Sequence, residues 1–170
     1  MSVLIEAICV VIPRQRLDLK YPGGTEAFLT RSARLSAEHR YICMDQHLVC
    51  LSYFSPDAAD RGIAPLISAG MTEIDNDEFT DVAIVDQRHG PILPCMWLMW
   101  SHDPKGFTSA WLAGELPGGL SAPEGWSAEQ SRRLSRVDIR TFPDRALKLA
   151  DENGVQTWLD FNTGRITVMR

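Results

Sequence analysis

The chain has 170 residues, 45% of them hydrophobic and 23% charged, with 17 Lys and Arg against 22 Asp and Glu for a formal net charge of -5. That balance excludes a disordered chain, which needs low hydrophobicity with high charge, and the length suffices to bury a core without a disulfide or metal staple. A membrane helix needs about 20 consecutive apolar residues, whereas the longest charge-free apolar run, residues 91–100, is short and holds two prolines.

The N-terminus lacks a basic leader and carries Glu6 inside its apolar stretch, so it reads as part of the fold and the expected location is the cytoplasm. Residues 3–12 are apolar at both alternating sets of positions, the pattern of a central strand covered on two sides. Tyr21, Pro22, Gly23 and Gly24 make a turn. Residues 25–35 then carry Phe28, Leu29, Ser32 and Leu35 at helical spacing, with Thr25 or Gly24 as the cap. The glycine pair before this helix is neither a phosphate-binding loop nor GxGxxG, and reads as a turn with a cap.

Two β-rich runs, residues 40–44 and 48–54, flank Asp45, Gln46 and His47 and suit a hairpin without the usual Asn-Gly signature. Ser55, Pro56 and Asp57 open a second helix, with Ala59, Ile63, Leu66 and Ile67 on one face, Pro65 expected to kink or split it, and Gly70 to end it. Residues 81–87 form another strand. The order strand, helix, strand, strand, helix, strand over residues 1–88 predicts an α+β chain with a ferredoxin-like N-terminal lobe, an analogy that fixes no function.

Residues 89–170 read as a mainly antiparallel β lobe with one short helix at 127–134, sharing a core with the first. A tryptophan-rich hairpin, residues 95–101 and 107–113, surrounds His102, Asp103, Pro104, Lys105 and Gly106, which suit a type I turn. With Asp103 opposite Gly106, Met96, Leu98, Trp100, Phe107 and Trp111 share one face; a bulge of one residue exchanges Trp100 for Trp97. Residues 114–125 are a loop by Gly and Pro content. Three further strands, 146–150, 155–161 and 165–169, are joined by Asn153-Gly154 and Asn162-Thr163-Gly164 turns. Their expected register groups Leu147, Leu149, Trp158, Ile166 and Val168, with Asp160 among them as a carboxylate that pairs with an arginine or reaches water.

Charge is uneven. Residues 1–90 carry 8 basic and 13 acidic side chains, and Glu73, Asp75, Asp77, Glu78, Asp81 and Asp86 fall in one stretch without Lys or Arg. Such a run is either a solvated loop or a surface that steers a cationic protein. It does not follow the calcium-loop pattern. Arg132, Arg133, Arg136, Arg140 and Arg145 form an opposite cluster, but a pI near 5.3 and the lack of aromatics among them make nucleic acid an unfavoured partner.

Four cysteines, Cys9, Cys43, Cys50 and Cys95, fit neither CxxC nor a zinc framework and read as reduced, mostly buried thiols. His39, His47, His89 and His102 show no metal-ligand spacing, so no metal and no cofactor are expected. The best catalytic grouping is His89 as acid or base, Asp86 as its orienter and Cys95 as nucleophile, with His102 nearby and Trp97 and Trp100 as pocket walls. Turn chemistry and burial explain the same residues. Trp97, Trp100 and Trp111, with Met96 and Met99, suit a ligand pocket or a partner surface, although aromatic residues of this kind more often form core. No catalytic motif stands out, and the leading expectation is a non-catalytic binding protein. Its docking surface is Glu73, Asp75, Asp77 and Glu78 with the tryptophans, and its partner a protein, basic in one version as for an inhibitor or immunity-type protein, or a second copy. The alternative is a small enzyme or ligand sensor using the pocket around Asp86, His89 and His102.

Overall fold

A computed structural model describes residues 1–35, 39–72, 80–129, 146–153, 155–160 and 166–169. It is an α+β protein. Among these residues the chain runs β1 (Ser2–Ile5), β2 (Ile8–Pro13), α1 (Arg14–Lys20), α2 (Gly24–Arg34), β3 (Tyr41–Met44), β4 (Leu48–Tyr53), α3 (Pro56–Ser68), β5 (Ala83–Asp86) and β6 (Gly90–Pro91). It continues with β7 (Leu98–His102), β8 (Thr108–Leu112), β9 (Leu120–Ser121), β10 (Ala146–Glu152), β11 (Val155–Asp160) and β12 (Ile166–Met169). No helix among the described residues is long and apolar enough to cross a membrane.

The apolar stretch expected as one strand is two. β1 joins a four-stranded sheet in the order β7-β8-β1-β9, and β2 joins a five-stranded sheet in the order β3-β4-β2-β5-β6. The chain changes sheet at Glu6 and Ala7, and Ala7 has a φ of 55°, the left-handed region that an L-residue enters at a cost. By pairing, the first strand therefore belongs with residues 98–121.

The double-sided burial of the five-stranded sheet follows from its alternation. Ile8, Val10, Ile12, Val49, Leu51, Tyr53 and Ile84 pack with Leu17 of α1, Phe28 of α2 and Ala58, Ala59, Ile63 and Leu66 of α3. The intervening residues Cys9, Val11, Leu48, Cys50, Ala83 and Val85 pack with Val3, Leu4 and Ile5 of β1 and with Trp97, Leu98 and Ala110. Helices thus cover one face and the second sheet the other. Each fully buried Val, Leu or Ile contributes roughly 1.5–3 kcal/mol.

Local chemistry sets the connections. Asp45 replaces the missing hairpin signature: its Oδ1 accepts from the amides of His47 and Leu48, both at 2.7 Å. Helix α1 was not expected, and it precedes the turn that opens α2. There the Asp18 carboxylate accepts the Thr25 amide at 2.9 Å, in place of a cap from Gly24 or from Thr25 itself. Ser55 caps α3 as expected, accepting the Ala58 amide at 3.3 Å, but Pro65 sits within one continuous helix and does not split it. Ile67, expected on the buried face, is 51% exposed.

The tryptophan hairpin has a different register from the expected one. Leu98 pairs with Leu112, Met99 with Trp111, Trp100 with Ala110 and His102 with Thr108. The reason is the turn: the Asp103 amide donates to the Phe107 carbonyl at 2.7 Å, and Gly106 has a φ of 94°, giving a three-residue loop closed by a left-handed glycine. One added residue moves Trp111 to the face opposite Leu98 and Trp100.

Strands β10, β11 and β12 form an antiparallel sheet in that order. A register shift between Lys148 and Ala150 changes the expected grouping. Trp158 stands opposite Lys148 and Thr167, Leu159 opposite Leu147 and Ile166, and Asp160 opposite Ala146. The expected helix at 127–134 and the arginine cluster at 132–145 lie wholly or mostly outside the described residues.

Candidate functional site

β5 ends at Asp86, and a tight turn returns the chain to β6, pairing Asp86 with Gly90. Asp86, 4% exposed, organises that turn. Its Oδ1 accepts from the Arg88 amide at 2.8 Å, the His89 amide at 3.1 Å and His89 Nδ1 at 3.1 Å. A carboxylate only accepts, so Nδ1 carries the proton and Nε2 is the acceptor of the neutral ring. The His89 side chain is 51% exposed.

This turn is braced against the second sheet. Gly90 packs so closely on the Trp100 indole that a Cβ would lie 2.3 Å from it. The Thr108 hydroxyl donates to the Gln87 carbonyl at 2.7 Å, and its oxygen therefore accepts from His102 Nδ1 at 3.0 Å. Asp86, His89, Trp100 and His102 are thus gathered at one end of β5.

Cys95 is not with them. After the turn the chain runs back along β5, the Ile92 amide donating to the Ile84 carbonyl at 2.9 Å. Cys95 then reaches the opposite end, where its Sγ lies 3.8 Å from the Thr80 hydroxyl. Burial pushes its thiol above the usual range, which disfavours the thiolate a nucleophile requires. The Asp86–His89 pair therefore has orientation without Cys95 as a nucleophile beside it.

The tryptophans divide by environment. Trp97 is 4% exposed and donates its indole N–H to Thr80 Oγ1 at 3.0 Å. Trp100 is half-buried on Gly90. Trp111, also half-buried, stands opposite the exposed Met99. Glu73, Asp75, Asp77 and Glu78 lie outside the described residues, but both flanks of their segment are well held. Asp81, 1% exposed, accepts the Thr72 amide at 3.0 Å and Lys20 Nζ at 2.7 Å through Oδ2, and faces Arg16 Nε at 3.5 Å through Oδ1.

Two features escaped the sequence reading. The first is a cleft of about 840 Å³ between α1, the β3–β4 turn and the base of the tryptophan hairpin, lined in part by Arg14, Arg16, Asp18, His47, Met96 and Leu112. Backbone bonds fix its walls: the Arg14 amide donates to the His47 carbonyl at 2.8 Å and the Ala113 amide to the Trp97 carbonyl at 2.7 Å. The second is a buried polar cluster at the change of sheet. Glu6, 3% exposed, accepts Arg40 Nη2 at 3.3 Å and Trp126 Nε1 at 2.7 Å, while the Arg40 guanidinium stacks over Tyr41 and Phe54. A carboxylate inside an otherwise apolar run was the available signal for this cluster. The cleft had none, because its lining comes from four separate segments.

No three of the described His, Cys, Asp and Glu side chains are placed to hold a metal ion. His39 donates through Nε2 to the Ser32 carbonyl at 2.9 Å, and His47 faces Glu115 at 3.8 Å. All four cysteines are free thiols. No protein-family model matches the chain, and no curated protein or solved structure matches it.

Proposed function

We propose that the protein is a non-catalytic binding protein that docks a basic protein partner, in the manner of an inhibitor or immunity-type protein. The acidic residues Glu73, Asp75, Asp77 and Glu78 steer and hold the partner, and the exposed face of the tryptophan hairpin supplies the apolar contact. One observation carries this reading. Thr80, two residues after Glu78 in the sequence, accepts the indole N–H of Trp97 at the root of the hairpin at 3.0 Å, which ties the chain that follows the acidic stretch to the hairpin. Such pairing of a charged rim with an aromatic anchor suits protein recognition. Met99, 47% exposed, and Trp111 opposite it are the apolar part of that surface. The arrangement β3-β4-β2-β5, antiparallel throughout, supports a ferredoxin-like lobe extended by β6.

The test is native mass spectrometry of the protein recovered from its own host. A stoichiometric basic protein is expected, released by salt because the contact is electrostatic. Reversing the charges at Glu73, Asp75, Asp77 and Glu78 should abolish its capture, and Trp111→Ala should speed its release. Capture unchanged by the charge reversal would sink the proposal.

A further inference from the structure

We propose that the 840 Å³ cleft is a binding site for a small apolar carboxylic acid, with Arg14 holding the carboxylate and Leu19, Met96 and Leu112 receiving the apolar body. This site is separate from the docking surface and stands independently of it.

Size and lining make the first argument. Cavities of roughly 300–1,000 Å³ take small molecules, and such sites combine apolar walls with a few polar groups that fix orientation. Here Leu19 and Met96 are 69% and 72% exposed on the lining, apolar surface whose contact with water is unfavourable. A ligand that covers them removes that surface from water. Trp97, buried at the lining, has its indole N–H engaged by Thr80 and so brings no free donor to the cleft.

Charge makes the second argument and selects the ligand. The lining carries Arg14 and Arg16 against Asp18, a positive balance in a chain whose formal net charge is -5. Arg16 is set against Asp81 at 3.5 Å, and His47 against Glu115 at 3.8 Å. Asp18 has its Oδ1 committed to the Thr25 amide. Arg14 differs: among the described residues no carboxylate lies within 4.0 Å of its guanidinium, and its hydrogen bond is a long one of 3.4 Å to the Asp45 carbonyl. A guanidinium presents five N–H donors in a planar fork that matches a carboxylate with two parallel bonds. One such fork with a small net positive lining suits a monoanion. Phosphate recognition groups several cations or amides, whereas Arg16 and His47 of this lining already face Asp81 and Glu115.

The experiment titrates the intact protein with decanoate, with decanamide and with a short peptide ending in leucine, reading tryptophan fluorescence and calorimetric heat. Decanoate should bind about tenfold or more tightly than decanamide, the size expected for a charge-assisted pair. Arg14→Gln should remove that preference, and Arg14→Lys should restore only part of it because the ammonium lacks the fork. Met96→Gln, at an exposed position that does not threaten folding, should weaken decanoate and decanamide alike. Equal binding of decanoate and decanamide, or a preference that survives Arg14→Gln, would overturn the assignment. Tighter binding of the peptide than of decanoate would overturn the free acid as the ligand. Partner capture in the preceding experiment should be the same for Arg14→Gln and the unaltered protein, which keeps the two tests apart.

Discussion

Gln87 closes on Ala7 from both ends: the Ala7 amide donates to Gln87 Oε1 at 2.9 Å, and the Gln87 amide donates to the Ala7 carbonyl at 3.0 Å. This pair of hydrogen bonds, one to the side chain and one from the backbone, holds Ala7 at the two-residue junction, Glu6 and Ala7, where the chain leaves the four-stranded sheet for the five-stranded one. Ala7 is buried and in the left-handed region, and its amide loses its partner if the Gln87 side chain is removed. Gln87→Ala should therefore cost about 1–3 kcal/mol, the penalty of an unpaired buried donor. Ala7→Gly removes a conformational cost of roughly 1–2 kcal/mol while adding about 0.5–1 kcal/mol of chain entropy, so it should be neutral or slightly stabilising. Urea unfolding of both variants decides the matter, and a Gln87→Ala protein as stable as the parent would mean that the junction holds itself.

How far the sequence announced this fold depends on what each signal measures. Alternation of Ile8, Val10 and Ile12 with Cys9 and Val11 correctly marked a strand covered on both sides, because period-two burial is local. The break before it carried no such mark: an alanine and not a glycine takes the positive φ, and its reason lies 80 residues away in Gln87. Helix α1 was equally silent, since Leu17 is its one buried residue and a single apolar contact makes no periodicity. The hairpin register turned on whether the loop has two residues or three, which Pro104 and Gly106 alone do not settle. Of the site residues, Asp86 and His89 are three apart and were legible as a pair. Cys95 was not separable from them, because only the return of the chain along β5 carries it to the far end of that strand.

Gly90 meets two independent constraints. Its φ is +79°, and a Cβ there would lie 2.3 Å from the Trp100 indole, a rigid ring that cannot step aside cheaply. Gly90→Ala should cost roughly 2–4 kcal/mol, part from the left-handed backbone and part from overpacking. The two parts are separable. With Trp100→Leu already in place the ring is gone, and Gly90→Ala should then cost only about 1–2 kcal/mol. A double-mutant cycle read by denaturant unfolding tests this, and full additivity of the two changes would show that the close approach of turn and hairpin has no energetic consequence.

Asp18 gives the protein a defined response to acid. The Thr25 amide, and after it the Thr25 hydroxyl, hold its carboxyl below the usual value of 3.8, with a further contribution from the Arg14 guanidinium. The folded state therefore binds this proton more weakly than the unfolded chain does. Stability from this group is fully present above the ordinary carboxylate range and is lost as the pH falls through the lowered folded value. Asp18→Asn keeps a hydrogen-bond acceptor near Thr25 but removes the charge, so the variant should be less stable at neutral pH and should converge on the parent in strong acid. Occupation of the neighbouring Arg14 by a carboxylate would withdraw part of the cation's field from Asp18 and move its titration back toward the ordinary value. Carbon-detected NMR titration of the Asp18 carboxyl, with and without decanoate, measures both effects: an Asp18 that titrates as in the unfolded chain would remove the cap, and one unmoved by saturating decanoate would place the bound acid away from Arg14.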